Sequence, residues 1–344
     1  MEKRNGFIGQ VPAFHKAEID RLFEESSGNL FFIRSNEVSA RIFSDTVYIR
    51  GIIEFSSFCV RNCRYCGLRQ NNTNIARYRM TPQAIVAAVE KIAASRVKTV
   101  VLQSGDDFYY SRKMLGQIIS RIKRNHPEMA VTLSVGERSR DDYRAFRDSG
   151  ADRYLLKHET INDTLYARVH PGQSLKNRIG ILEYLRKIGF QVGAGCIIGL
   201  PGHTREDLVN EIIFLNDFQP DMIGISPFIP QKDTPLQARV SPAIELVFRM
   251  AALARLAVPG AYIPATTALA TLGGNKAQSE ILRAGANVVM VNFTPEEFSR
   301  QYVIYDHKAE IDLKCACKVI HSAGKKVSFA RADSILMYPP AERV

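Results

Sequence analysis

Cys59, Cys63 and Cys66 lie in the run Cys59-Val-Arg-Asn-Cys63-Arg-Tyr-Cys66, which delivers three thiols to one compact site. Three thiolates can hold a cuboidal four-iron cluster and leave its fourth iron free to bind a small molecule. Structural zinc is the competing chemistry, but zinc normally takes four nitrogen or sulfur ligands, often as two spaced pairs. The chain has no second C-x2-C and no histidine pair at ligand spacing, and His126 and Cys196 stand alone. An iron–sulfur cluster is therefore the expected occupant.

Such a loop needs a rigid scaffold. From residue 47 onward, short apolar runs alternate with amphipathic stretches. Strands are expected at Val47–Phe55, Thr99–Gln103, Ala130–Val135, Arg153–Lys157, Gln191–Ile198, Met222–Ser226, Ala261–Thr266 and Val288–Val291. Helices are expected between them, among them Pro82–Ala94 behind the cap Thr81, Lys176–Lys187, Arg205–Phe218 and Lys276–Ala284. Eight such alternations predict an α/β chain, a (β/α)8 TIM-type barrel with an N-terminal helical extension and a short C-terminal tail. A doubly wound open sheet is the competitor. The expected limits are 1–46 for the extension, covering one end of the barrel, 47–304 for the barrel and 305–344 for a tail belonging to the same globule. A barrel demands that functional residues sit at strand C-termini and in the loops that follow, and the cysteine loop follows the first strand.

Apolar residues make up 46% of 344, enough for one large core and too many for general disorder. Six cysteines, clustered rather than spread, fit a reducing cytoplasm better than a disulfide framework. The opening Met1-Glu-Lys-Arg-Asn-Gly has no apolar leader, and no run of 18 apolar residues predicts a membrane span. Lys and Arg total 46 against 35 Asp and Glu, a net charge of +11. The basic residues are scattered, and no motif with interleaved aromatics points to nucleic acid. An anionic small molecule or an acidic protein fits the charge better.

With Tyr65 just before its last cysteine, the cysteine run resembles that of the radical S-adenosylmethionine (SAM) superfamily. That resemblance implies a [4Fe-4S] cluster whose open iron binds SAM and whose electron splits it to methionine and a 5′-deoxyadenosyl radical. Longer stretches resemble the HydE family of [FeFe]-hydrogenase maturases, and more distantly biotin synthase and methylornithine synthase. They include Tyr48-Ile-Arg-Gly-Ile-Ile-Glu-Phe55, Arg77-Tyr-Arg-Met-Thr-Pro82, His158-Glu-Thr160, Gly193-Ala-Gly195, Gly199-Leu-Pro-Gly202 and Ile263-Pro-Ala-Thr-Thr-Ala268.

By this resemblance Cys59, Cys63 and Cys66 hold the cluster, and Tyr65, Glu159 and Arg178 take cofactor-binding positions. A carboxylate suits ribose hydroxyls and a guanidinium suits the methionine carboxylate. Arg50, Gln103, Thr132 and Ser134, with Met222, Thr266, Thr267 and Tyr302, take positions in the substrate pocket. The implied partners are a small thiol-bearing or amino-acid-derived substrate, an electron donor such as ferredoxin or flavodoxin, and a maturation or acidic protein. A methylornithine-synthase-like rearrangement is the alternative reaction, and an iron–sulfur scaffold the non-enzymatic one.

Some positions depart from the family. Lys157 stands where arginine is usual, Arg138 where an aromatic is, and Ser226 where glycine is. Gln231-Lys232 and Val291-Asn-Phe293 also differ. The tail holds only Cys315-Ala-Cys317, two thiols too few for a second cluster of the ordinary kind.

Overall fold

The computed structural model describes residues 16–24 and 28–336; the remainder of the expected extension and tail lies outside the described residues. Eight parallel strands form one sheet: β1 (Thr46–Ser56), β2 (Thr99–Ser104), β3 (Ala130–Ser134), β4 (Arg153–Leu155), β5 (Gln191–Ile198), β6 (Met222–Pro227), β7 (Pro264–Ala265) and β8 (Val288–Asn292). Their order is β6-β5-β4-β3-β2-β1-β8-β7. Tyr262 closes the ring, donating to Asp221 O at 2.9 Å and accepting from Ile223 N at 2.9 Å beside a parallel bridge to Met222. The sheet is thus a nearly closed barrel rather than the open doubly wound alternative.

Helices return the chain on the outside, and their starts are encoded locally. Thr81 Oγ1 accepts from Ala84 N at 3.1 Å ahead of helix Pro82–Ala94, and Pro82 fills a position whose N–H would go unpaired anyway. Ile85, Val89 and Ile92 of that helix are fully buried, each contributing about 1.5–3 kcal/mol by removal from water. Ser174 caps helix Leu175–Lys187, and reciprocal capping boxes start Arg140–Asp148 at Ser139 and Arg205–Phe218 at Thr204.

The N-terminal helices do not cover an end of the barrel as expected. Helices Lys16–Glu24 and Gly28–Phe43 pack mainly on the outer helices Arg205–Phe218 and Ile244–Ala257, burying Ile19 and Phe31. The N-terminal mouth of the barrel is closed instead by the C-terminal segment. Its strand β9 (Lys326–Ser328) pairs with the start of β1. Beyond it, Arg331 O, Ala332 O and Asp333 Oδ1 accept from the fully buried Arg153 Nη2 at 2.7, 2.9 and 3.1 Å. A buried guanidinium must have its donors filled, and the tail supplies three of the acceptors.

Candidate active site

The cysteine loop leaves the C-terminal end of β1 and is fixed almost entirely through its backbone. Arg77 spans it, donating to Ser57 O, Leu68 O, Arg69 O and Asn72 O at 2.7, 3.1, 2.8 and 3.0 Å. Val60 N donates to Asp106 O at 3.1 Å and Gly67 N to Ile304 O at 3.0 Å, so the loops after β2 and β8 grip it as well. Gly105 is required by close approach: a Cβ there would meet Phe58 O at 2.3 Å and Cys59 Cβ at 2.6 Å.

Cys59, Cys63 and Cys66 line one cavity of about 380 Å3 at the C-terminal mouth of the barrel. Cys59 Sγ accepts from Arg61 N and Asp106 N, each at 3.4 Å, and Cys63 Sγ from Gln173 Nε2 at 3.6 Å. Burial, then the neighbouring Cys59 sulfur, pushes the Cys63 thiol up to about 12, and burial raises Cys59 and Cys66 too. These sulfurs become thiolates only where a metal compensates the charge, so the donor set fits an iron–sulfur cluster. Among the described residues no three His, Cys, Asp or Glu side chains close on one point for a single ion. Zinc would need that convergence, whereas a cluster takes one iron per thiolate.

Glu159 stands at the extension of β4, where its N–H donates to Gly195 O and its carbonyl accepts from Ile197 N, both at 2.9 Å. Its φ of +67° is left-handed, an uncommon conformation for a non-glycine residue. Burial acts to raise its carboxyl, but Lys157, then His170 and Arg178, outweigh burial and hold it below the usual range. Lys157 Nζ lies 2.9 Å from Oε2 without hydrogen-bond geometry, so that buried oxygen keeps an unfilled acceptor site.

Arg178, in the first turn of its helix, has Nε 2.8 Å from Glu137 Oε1 and 3.2 Å from Tyr166 Oη, and Nη2 3.0 Å from Gln173 Oε1. Glu137 Oε2 also lies 3.4 Å from Arg61, whose Nε donates to Asp106 at 2.7 Å. Tyr65 Oη meets His170 Nε2 at 2.9 Å. Burial is the largest effect on His170 and lowers it to about 4, keeping its ring neutral at pH 7.

Of the expected pocket residues, Gln103, Ser134, Thr266, Thr267 and Tyr302 line the cavity, and Gln103 Nε2 donates to Tyr302 Oη at 3.4 Å. Arg50, Thr132 and Met222 do not reach its wall. Each lies two residues nearer the strand N-terminus than a lining residue, namely Ile52, Ser134 and Gly224, and all three are buried. Arg50 Nη1 contacts Met222 Sδ at 3.1 Å and its cation lies 5.0 Å from the Tyr262 ring centroid. Arg50 Nε, Arg50 Nη2 and Thr132 Oγ1 have no hydrogen-bond partner. Burial, then repulsion from Arg153, lowers the Arg50 guanidinium to about 9.

Two glycines of the resembling runs lie where a side chain would clash. A Cβ on Gly195 would meet Gly224 O at 2.2 Å, and one on Gly202 would meet Arg168 Nη2 at 2.1 Å. Sequence reasoning missed the Glu54–Lys308 pair. Lys308 Nζ donates to both Glu54 oxygens inside the cavity, and Asn292 Nδ2 adds a bond at 3.3 Å. Lys308 comes from the strap after β8, 254 residues away, so no local pattern signals the contact.

Known proteins resolve what such a cavity belongs to. The radical SAM superfamily model matches residues 53–215. The [FeFe] hydrogenase maturase subunit HydE of Thermotoga maritima is 42% identical over 89% of this chain and 88% of its own length. The chain belongs to the radical SAM superfamily. This radical SAM enzyme uses a [4Fe-4S] cluster and SAM, which sets aside the non-catalytic scaffold. Its fold matches methylornithine synthase (PylB), with a TM-score of 0.82 and 22% identity over 92% of this chain and 94% of that one. It also matches the maturase HydG, with a TM-score of 0.77 and 19% identity over 92% of this chain and 72% of that one. No helix among the described residues is long and apolar enough to cross a membrane.

Proposed function

We propose that this radical SAM enzyme acts on a small anionic substrate with a thiol or amino-acid carboxylate. The step is one of [FeFe]-hydrogenase maturation, as named for its Thermotoga maritima relative. Arg50, buried beneath the cavity wall, carries the reading: a fixed cation with two nitrogens whose donors are unfilled favours a carboxylate or similar anion in the cavity above it.

In this reading Cys59, Cys63 and Cys66 hold the cluster. When bound, the cluster supplies the electron that cleaves the SAM sulfonium to methionine and a 5′-deoxyadenosyl radical. Glu159, kept ionised by Lys157, accepts the ribose hydroxyls through its unfilled oxygen. Arg178, held by Glu137, offers a cation to the methionine carboxylate. Tyr65 fixes neutral His170 against the cluster loop. Gln103, Ser134, Thr266, Thr267 and Tyr302 orient the substrate between SAM and Arg50, and met by Leu155 and Ile304 they exclude water from the radical. An electron carrier must reach the cluster, and a reducing cytoplasm suits both it and the free thiols.

The test is a hydrogenase maturation mixture lacking only HydE, to which the reconstituted chain is added. Restored hydrogenase activity is expected, with loss in Arg50→Met while that variant still cleaves SAM. Brisk SAM cleavage without any hydrogenase activity would contradict the assigned substrate and turn the search to other reactions, including the rearrangement of methylornithine synthase.

A further inference from the structure

Reductive SAM cleavage consumes one electron per turnover, and the surface beside the cluster has the composition of a docking site for its source. The cluster loop and the stretch behind it, residues 57–79, contain five arginines and no aspartate or glutamate. Three of the seven large apolar side chains left well exposed among the described residues gather at this end: Val60 at 44%, Phe108 at 51% and Tyr109 at 57%. Each is tied to the neighbouring loops or arginines. Val60 N bonds Asp106 O at 3.1 Å, Arg79 stacks over Tyr109 at 4.6 Å, and Arg138 stacks over Phe108 at 4.9 Å.

From Phe108 a groove of about 640 Å3 runs between helices Arg140–Asp148 and Leu175–Lys187, walled by Arg61, Arg138, Arg140, Lys176 and Tyr184. Arg140 and Arg144 both lie over the Tyr184 ring, at 5.0 and 5.8 Å. The one acid in the wall, Glu137, is already engaged by Arg178 and Arg61. Arg61 also joins groove to cluster, since its N–H donates to Cys59 Sγ.

We propose that this groove and the apolar rim at Val60, Phe108 and Tyr109 dock a small acidic one-electron carrier protein. Arg61 and Arg79 are held by Asp106 and Asp107, so the exposed Arg140 and Lys176 are the cations that steer an acidic partner, and the exposed Phe108 and Tyr109 rings resemble the core of a transient interface. The carrier is oxidised by one electron and the cluster is reduced by the same electron, with no bond made or broken. The inference rests on the radical SAM reading, and dithionite separates the two, because a small chemical reductant needs no docking.

The experiment measures 5′-deoxyadenosine formed by the reconstituted holoenzyme. One assay is driven by dithionite; the other by an acidic ferredoxin kept reduced by NADPH and its reductase. The double variant Arg140→Glu/Lys176→Glu is compared with Lys276→Glu, on the helix after β7 and so across the barrel from β3. The ferredoxin-driven rate should fall about tenfold at low salt in the double variant alone, through KM for ferredoxin, with the dithionite-driven rate unchanged. It should also fall with added salt in the native chain. No loss in either assay, or equal loss in both, overturns the docking site. Absence of dithionite-driven cleavage in the native chain overturns the radical SAM reading instead.

Discussion

At the scale of single residues, the three cysteines were legible because their spacing is local, while the side chains that hold Glu159 were not. His158 and Glu211 are both fully buried and 2.7 Å apart. His158 Nδ1 accepts from Gly195 N at 3.3 Å, so the proton sits on Nε2 and faces Glu211, whose other oxygen accepts from Ile161 N at 2.5 Å. Glu211 therefore clamps the chain on both sides of Glu159 and holds its left-handed backbone. Glu211→Gln is expected to raise the KM for SAM roughly tenfold, about 1.4 kcal/mol, at little cost in kcat or iron content, because the amide keeps one of the two bonds. Matched losses of iron and kcat would show a merely structural role. Neither partner could be paired from sequence, since 53 residues separate them.

At the scale of elements, β-branched runs located the strands well, and the errors have local causes. The strand expected at Ala261–Thr266 is only Pro264–Ala265: proline lacks a ladder donor, and Thr266 turns away to cap the next helix, accepting from Leu269 N at 3.2 Å. The helix expected at Lys276–Ala284 forms the second part of Thr267–Arg283, beyond a kink at Gly274 with φ +64°. The cluster loop carries the sharper prediction. Gly105→Ala forces Cβ onto Phe58 O and Cys59 Cβ, so reconstituted iron content should fall by well over half while far-UV circular dichroism is unchanged. Arg77→Ala should lower iron content likewise and cost roughly 1–3 kcal/mol of stability, since four loop carbonyls lose their donor. Full iron content in both variants would mean that the loop does not need these supports.

At the scale of the whole molecule, the barrel follows from alternation, but the plug does not. Lys326–Ser328 is too short to show a period, and its role emerges only where Arg153 needs acceptors. Ending the chain at Gly324 strips those acceptors from a fully buried cation and should cost about 3–5 kcal/mol, measured by urea unfolding; an unchanged midpoint would refute the plug. Asp333 adds a pH term. Burial acts to raise its carboxyl, yet Arg331, Gln191 and Arg153 together hold it below the ordinary range. A depressed folded value means that its stabilisation is complete above about pH 3.9 and is lost as pH falls through the folded value. Asp333→Asn should therefore flatten part of the acid limb below about pH 4 in a stability profile, and an unaltered limb would contradict the assignment.

The most direct test of the central claim is chromatography for 5′-deoxyadenosine after anaerobic cluster reconstitution, with SAM and dithionite, alongside Cys63→Ala. The native chain is expected to release methionine and 5′-deoxyadenosine in equal amounts and the variant none. A well-formed cluster in the native chain that neither binds nor cleaves SAM would contradict the account.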